Sequence, residues 1–122
     1  MSRGLGEFEH LILLALLDLE EEQAYGVPIR DVIERRTGRR ISAGAIYTAL
    51  DRLSARGLVS SRLGEPTAER GGRRKRLYRL EPAGAHALSQ SVQLLIDMSR
   101  GLLHRLDLRP APGGSGWPEG ER

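Results

Sequence analysis

Six basic residues crowd the fifteen-residue stretch PTAERGGRRKRLYRL, Pro66 to Leu80. Arg70, Arg73, Arg74 and Lys75, with Arg76 and Arg79 behind them, are charged at neutral pH. Such side chains neutralise phosphates, and each contact releases counterions from a polyanion. Gly71 and Gly72 supply the backbone freedom of a turn. A second cluster stands upstream at Ser42, Ala43, Gly44, Tyr47 and Thr48. Ala43 and Gly44 are small and permit close approach. The hydroxyls of Tyr47 and Thr48 suit a phosphate or a base edge. Ser42 can cap a helix and donate to a phosphate at the same point.

Catalytic and metal chemistry find no comparable constellation. His10, His86 and His104 are far apart and share no metal-ligand spacing. His10 and His86 read instead as polar edge positions on their helices. The GGSG at Gly113 to Gly116 has no strand before it and no helix after it, so it is not a phosphate-binding loop. The chain has no Cys, which removes disulfides and thiolate metal sites and fits a reducing cytoplasm. No cofactor and no enzymatic activity are implied. The apolar run Leu11 to Leu17 is too short to cross a bilayer, and Glu7, Glu9 and Asp18 flank it. A cytoplasmic protein without a membrane partner is expected.

The 122 residues suffice for one small domain and a tail. With aromatic content at 4%, the core must be aliphatic. The net charge of +3 is unevenly spread: −5 over residues 1–24, +9 over 25–80 and −1 over 81–122. Such polarity indicates one face turned to an anionic partner, unless it is simply an uneven solvated surface.

The elements that must position these clusters follow from hydrophobic period. Leu5, Phe8, Leu11, Ile12, Ala15, Leu16 and Leu19 repeat at helical spacing and predict a first helix. A second is predicted over 26–37, with Pro28 in its first turn and Gly38 at its stop. Ser42 caps a third, over 43–56, with Ile46, Ala49, Leu50 and Leu53 as its apolar stripe and Gly57 as its end. The period then changes to two. LVSSRL (58–63) and KRLYRL (75–80) predict a β-hairpin whose long tip is the basic segment. A long helix is expected over 81–108, roughly 39 Å at ~1.5 Å per residue, with Gly101 a local weak point. A Pro/Gly-rich tail, 110–122, is expected to be disordered and contains Trp117, the only Trp.

Three short helices followed by a hairpin is the order of a winged helix-turn-helix. The expected fold class is mainly α with a small β-hairpin: a winged helix over 1–80 and a dimerisation helix over 81–109. With its apolar stripe turned inward, the third helix presents Ala43, Gly44, Tyr47, Thr48 and Asp51 outward. The hairpin tip is then the wing. The plainer readings are a solvated charged loop for the tip, a half-buried packing residue for Tyr47 and an ordinary surface residue for Thr48. A winged helix can also serve as a protein-interaction module or an RNA binder. A protein-interaction surface would expose more aliphatic residues here, and an RNA binder more stacking aromatics.

The segments LGEFEHLILLALL, AYGVPIRDVIERRTG, ISAGAIYTALDRLSARGLVSS and GEPTAERGGRRKRLYRLEPAG together resemble the PadR family of transcriptional regulators. The resemblance runs from Leu5 to Gly84 and more loosely into the next helix. It implies a winged helix that binds palindromic double-stranded operator DNA as a homodimer, usually as a repressor. It places recognition-helix positions on Ser42, Gly44, Tyr47 and Thr48, and wing positions on Gly72, Arg73, Arg74 and Lys75. Arg70 joins them on charge. Tyr25 matches a family position of structural character. The exposed stripe of the last helix, Leu88, Val92, Leu95, Ile96, Leu102, Leu103 and Leu106, is assigned to dimerisation. A single C-terminal helix resembles the short members of the family. Some of these sense flat aromatic drugs through tryptophans on the dimer helix, whereas Trp117 lies in the tail. A small-molecule effector is therefore left unassigned.

Overall fold

The computed structural model describes residues 4–66 and 74–108. Arg70, Gly72 and Arg73, and the tail with Trp117, lie outside the described residues. The chain folds as helix α1 (Glu7–Asp18), a single 3-10 turn (Glu21–Gln23), α2 (Gly26–Thr37), α3 (Ala43–Ala55), strands β1 (Val59–Leu63) and β2 (Arg76–Leu80), helix α4 (Pro82–Ser99) and a last 3-10 turn (Leu103–Arg105).

The termini of these helices are set by local chemistry. Before α1, the Gly6 N–H donates to the Glu9 carboxylate at 2.8 Å. Glu9 also meets the Arg56 guanidinium at 3.2 Å, tying the start of α1 to the end of α3. Gly38 stops α2 in the left-handed conformation at φ 75°, a geometry that a side chain would strain. The turn after it is held by the Ile41 N–H donating to the Glu34 carboxylate at 2.7 Å. Ser42 then caps α3, its hydroxyl accepting from the Ala45 N–H at 3.1 Å. Gly57 repeats the left-handed stop at φ 75°. Past it, the Leu58 N–H reaches back to the Leu53 carbonyl at 3.0 Å.

The core is aliphatic, as the composition requires. Ile12, Leu13, Ile29, Ile46, Leu50 and Leu53 are fully buried and hold α1, α2 and α3 together. No polar or charged residue is buried among those described. All four predicted stripe residues of α3 face this core. In α1 the buried set shifts slightly: Leu13 is interior, while Leu5, Phe8, Leu11 and Leu19 pack at the edge.

β1 and β2 pair antiparallel, with Val59 opposite Leu80 and Leu63 opposite Arg76. Alternation places Val59 and Tyr78 inward. The outer edge of β2 is covered as well, because the Tyr78 N–H donates to the Ala24 carbonyl at 2.7 Å. The hairpin is thereby fastened to the loop that enters α2.

α4 starts against this hairpin. The Glu81 N–H donates to the Leu58 carbonyl at 3.0 Å, and buried Gly84 lies so close that a methyl there would overlap the same carbonyl oxygen. His10 bridges α1 to α4 by a hydrogen bond between its ring and the Ser91 hydroxyl. Leu88 belongs to the chain's own core and Val92 packs against it. Beyond Val92 the apolar side chains face outward.

The continuous helix predicted over 81–108 is not what forms. α4 ends at Ser99, Arg100 leaves helical geometry at ψ 125°, and Gly101 takes φ 77°. The Leu102 N–H closes a turn on the Ser99 carbonyl at 2.8 Å. Apolar period continued through this point, and the conformational freedom of one glycine overrode it.

The Gly84 contact is testable. Gly84→Ala should destabilise the fold by about 1–3 kcal/mol, because the obstructing atom is backbone and cannot rotate away. A thermal midpoint equal to that of the wild type would show that α4 can shift off the hairpin.

Candidate nucleic-acid interface

α3 presents one face to the core and the other to solvent. Ser42, Ala43, Gly44, Tyr47, Thr48 and Asp51 are all exposed, as the inward placement of Ile46, Leu50 and Leu53 dictates. Around Gly44 an added methyl would meet nothing. The glycine is thus not required by packing, and the backbone there is open to close approach from outside.

Tyr47 is half packed and half exposed. Its ring and hydroxyl lie directly over Gly26, where any side chain would collide with them. It nevertheless remains 43% exposed. Gly26 therefore seats the tyrosine that reaches across from α3, a role that sequence spacing did not reveal.

The wing root joins the same surface. Arg74 donates from Nε to the Gly64 carbonyl at 2.9 Å, and the Gly64 N–H donates to the Lys75 carbonyl at 2.7 Å. These two bonds close the hairpin just before the undescribed tip. Lys75 turns back over α2. Its ammonium donates to the Tyr25 hydroxyl at 3.2 Å and stands 4.5 Å from the ring centroid, within cation–π range. Tyr25 precedes the first residue of α2. Lys75, Tyr25, Gly26 and Tyr47 thus form a continuous strip from the wing root to α3. Of the predicted site residues, the structure brings Ser42, Ala43, Gly44, Tyr47, Thr48, Arg74 and Lys75 to the described surface. Arg70, Gly72 and Arg73 fall on residues 67–73, outside it.

Charge pairing sharpens the contrast between faces. Arg39 pairs with Glu7 at 2.7 Å, Arg36 with Asp18 at 3.8 Å, and Arg62 and Arg79 share Glu21 at 3.4 and 3.9 Å. Arg74 and Lys75 have no carboxylate within ion-pair distance among the described residues.

The profile of the transcriptional regulator PadR-like family matches residues 13–90. The chain belongs to the PadR-like family of transcriptional regulators. The match runs from the second half of α1 through α2, α3 and the hairpin to the first half of α4. This PadR-like chain is 38% identical over 68 residues to the transcriptional regulator Rv3488 of Mycobacterium tuberculosis, covering 56% of the chain and 60% of that relative. It is 33% identical over 87 residues to a 37.1 kDa protein of transposon TN4556 from Streptomyces fradiae, covering 71% of the chain but 23% of that protein. The matched region is therefore about a quarter of one relative and three-fifths of the other.

The fold has solved counterparts. A PadR family transcription regulator from Clostridium difficile R20291 superposes with a TM-score of 0.65 at 22% identity, covering 82% of this chain and 97% of that one. A PadR-like regulator from Bacillus cereus gives 0.64 at 22%, covering 84% and 93%. The winged helix is the shared element, and the family is one of regulators, not of enzymes. Among the described residues no helix is long and apolar enough to cross a membrane.

Beside α3 lies Tyr78, whose phenol is held above its ordinary value. Burial is the main cause, and the nearby charge of Asp51 adds to it, while Arg76 opposes. The folded state therefore keeps this proton more tightly than the unfolded chain does. That stabilisation is complete below pH ~10 and is lost as pH rises through the folded value. Urea unfolding at alkaline pH should show the loss, with a shallower decline in Tyr78→Phe. Parallel declines in the two proteins would show that Tyr78 is ionised as easily in the fold as out of it.

Proposed function

We propose that this chain is a sequence-specific DNA-binding transcriptional regulator that acts as a homodimer on a palindromic operator, as a repressor. The observation that carries this reading is the union, on one surface, of the small hydroxyl-bearing face of α3 with wing-root cations that have no carboxylate in ion-pair distance among the described residues. A recognition helix set in the major groove would turn Gly44, Tyr47 and Thr48 toward base edges, with Ser42 toward the flanking phosphate. Arg74 and Lys75, joined by Arg70, Gly72 and Arg73 of the wing, would take the backbone, a contribution independent of sequence.

The dimer reading rests on what α4 leaves uncovered. Leu95 and Ile96, with Leu94 and Met98 beside them, are 48–71% exposed. Leu102, Leu103 and Leu106 continue the apolar surface past the turn. So many exposed apolar side chains on one end of so small a domain call for a partner. A second copy related by a two-fold axis presents the matching surface and sets two recognition helices about 34 Å apart, one turn of DNA. Of the residues assigned to this interface, Leu88 is buried in the chain's own core and Val92 is half-buried against it, so the uncovered surface begins past them.

Fluorescence anisotropy tests the DNA reading. The probe is a labelled duplex from immediately upstream of the chain's own gene, with random duplex as competitor. Binding that survives excess random DNA is expected. Replacing Arg74 and Lys75 together by Ala should weaken binding to all duplexes and lower the salt slope by about two. Thr48→Ala should instead reduce the preference for operator over random DNA by about 1–3 kcal/mol. Equal losses on both duplexes would reassign Thr48 to positioning. Sedimentation at micromolar concentration should give a dimer, and a Leu95→Glu, Ile96→Glu variant a folded monomer. A monomeric wild type would remove the two-fold arrangement.

A further inference from the structure

Arg30 was not among the residues whose type and spacing drew attention, yet its environment is the least settled in the described structure. It sits on α2, one turn beyond Gly26, and its Nε is out of reach of solvent with no hydrogen-bond partner among the described residues. It is the one buried side-chain donor there without an acceptor. An arginine cannot shed its proton to relieve this, and buried donors in native proteins are nearly always answered. No carboxylate among the described residues lies within ion-pair distance of it.

Its surroundings point in one direction. Arg30 lines a small cleft between α2 and α3, about 20 Å³, together with Gly26, Ala43 and Tyr47. Ala43 and Tyr47 are also on the exposed face of α3. Lys75 is held on Tyr25, the residue just before α2. Two cations from different elements thus stand near the start of α2, and one of them shares a cleft with Ala43 and Tyr47 of the exposed α3 face. The side chain gives up no hydrogen bond at Nε when it swings toward an outside anion.

We propose that Arg30 is a DNA-backbone contact, its guanidinium bonding a phosphodiester oxygen at the mouth of the α2–α3 cleft while Lys75 takes a neighbouring phosphate. The proposal rests on the DNA-binding reading above. It extends the contact surface from α3 and the wing onto α2, and it identifies as functional a residue that neither the wing nor the recognition helix contains. Arg suits the place better than Lys, because its planar fork can bond two phosphate oxygens at once.

The test uses the full chain and a labelled random-sequence duplex, since a phosphate contact is independent of sequence. Affinity is measured across a salt series for wild type, Arg30→Gln and Arg30→Lys. Arg30→Gln should lower the slope of log affinity against log salt by about one and the affinity about tenfold. Arg30→Lys should keep the slope and lose less affinity. The thermal midpoint of Arg30→Gln should match or exceed that of the wild type, because an unanswered donor has been removed. Wild-type slope and affinity in Arg30→Gln overturn the proposal, as does a lowered midpoint with an unchanged slope. Should Arg30→Gln fail to fold, the Nε–H resonance of Arg30, assigned by its absence in Arg30→Lys, should shift when the same duplex is added. A resonance that does not move overturns the proposal. If the wild type itself has no affinity for any duplex, the DNA reading fails first, and that outcome is distinct from a wild type that binds while Arg30→Gln is unaffected.

Discussion

The burial of one stripe of α3 governs the rest of the molecule. Ile46, Leu50 and Leu53 are wholly enclosed and Ala49 nearly so. Each fully buried aliphatic chain is stabilised by about 1.5–3 kcal/mol relative to exposure. Rotating α3 by one residue, about 100°, would drag these side chains into water and push Tyr47 or Asp51 into an aliphatic core with no polar partners to offer. The face that meets solvent is therefore dictated by the face that does not. A reading helix needs that rigidity, because base-edge contacts tolerate little rotational slack.

Three polar fastenings hold the helix in place from outside the core. Glu9 accepts from both Gly6 and Arg56, so the start of α1 and the end of α3 share one carboxylate. The pair is largely shielded from solvent, with side-chain exposures of 12% and 19%. It is thus less screened than the surface pairs of Arg36 or Arg39. Glu34 holds the turn that leads into α3, and Ser42 caps its start. On the wing side, Ala24 bonds to Tyr78 across the edge of β2. That bond makes the hairpin an extension of the loop before α2.

Much of this was legible in the sequence, for a physical reason. The bounds of α2 and α3 followed from Gly38, Ser42 and Gly57, residues whose conformational or capping preferences act locally. The inward and outward sets of α3 followed from helical period alone. What was not legible depended on contacts between distant segments. Gly26 looked like an ordinary helix-start residue until the Tyr47 ring was found over it. Arg30 carries no signal in type or spacing, because its buried Nε depends on the packing of α2 against α3. The apolar period after Val92 looked like a longer helix, because period reports which face is apolar and not where the backbone turns. Gly101 decided that point, and Leu88 showed that part of the presumed interface closes the chain's own core.

The same division of labour runs through the charges. Glu7, Glu9, Asp18 and Glu21 each neutralise an arginine of the +9 middle segment. The acidic beginning of the chain is thus a local counterweight and not a separate acidic surface. Arg36, Arg39, Arg56 and Arg62 are answered by carboxylates near the start of the chain, whereas among the described residues Lys75 meets a tyrosine and the Arg30 Nε meets no acceptor. An ion pair made inside the protein competes with one made to a phosphate, because the internal partner must be given up first. On the proposed reading, cations beside α3 with no carboxylate in ion-pair distance among the described residues would escape that competition, so phosphate binding there would carry little cost beyond desolvation and the ordering of two side chains. Where the arginines are placed matters less to such a surface than where the glutamates are.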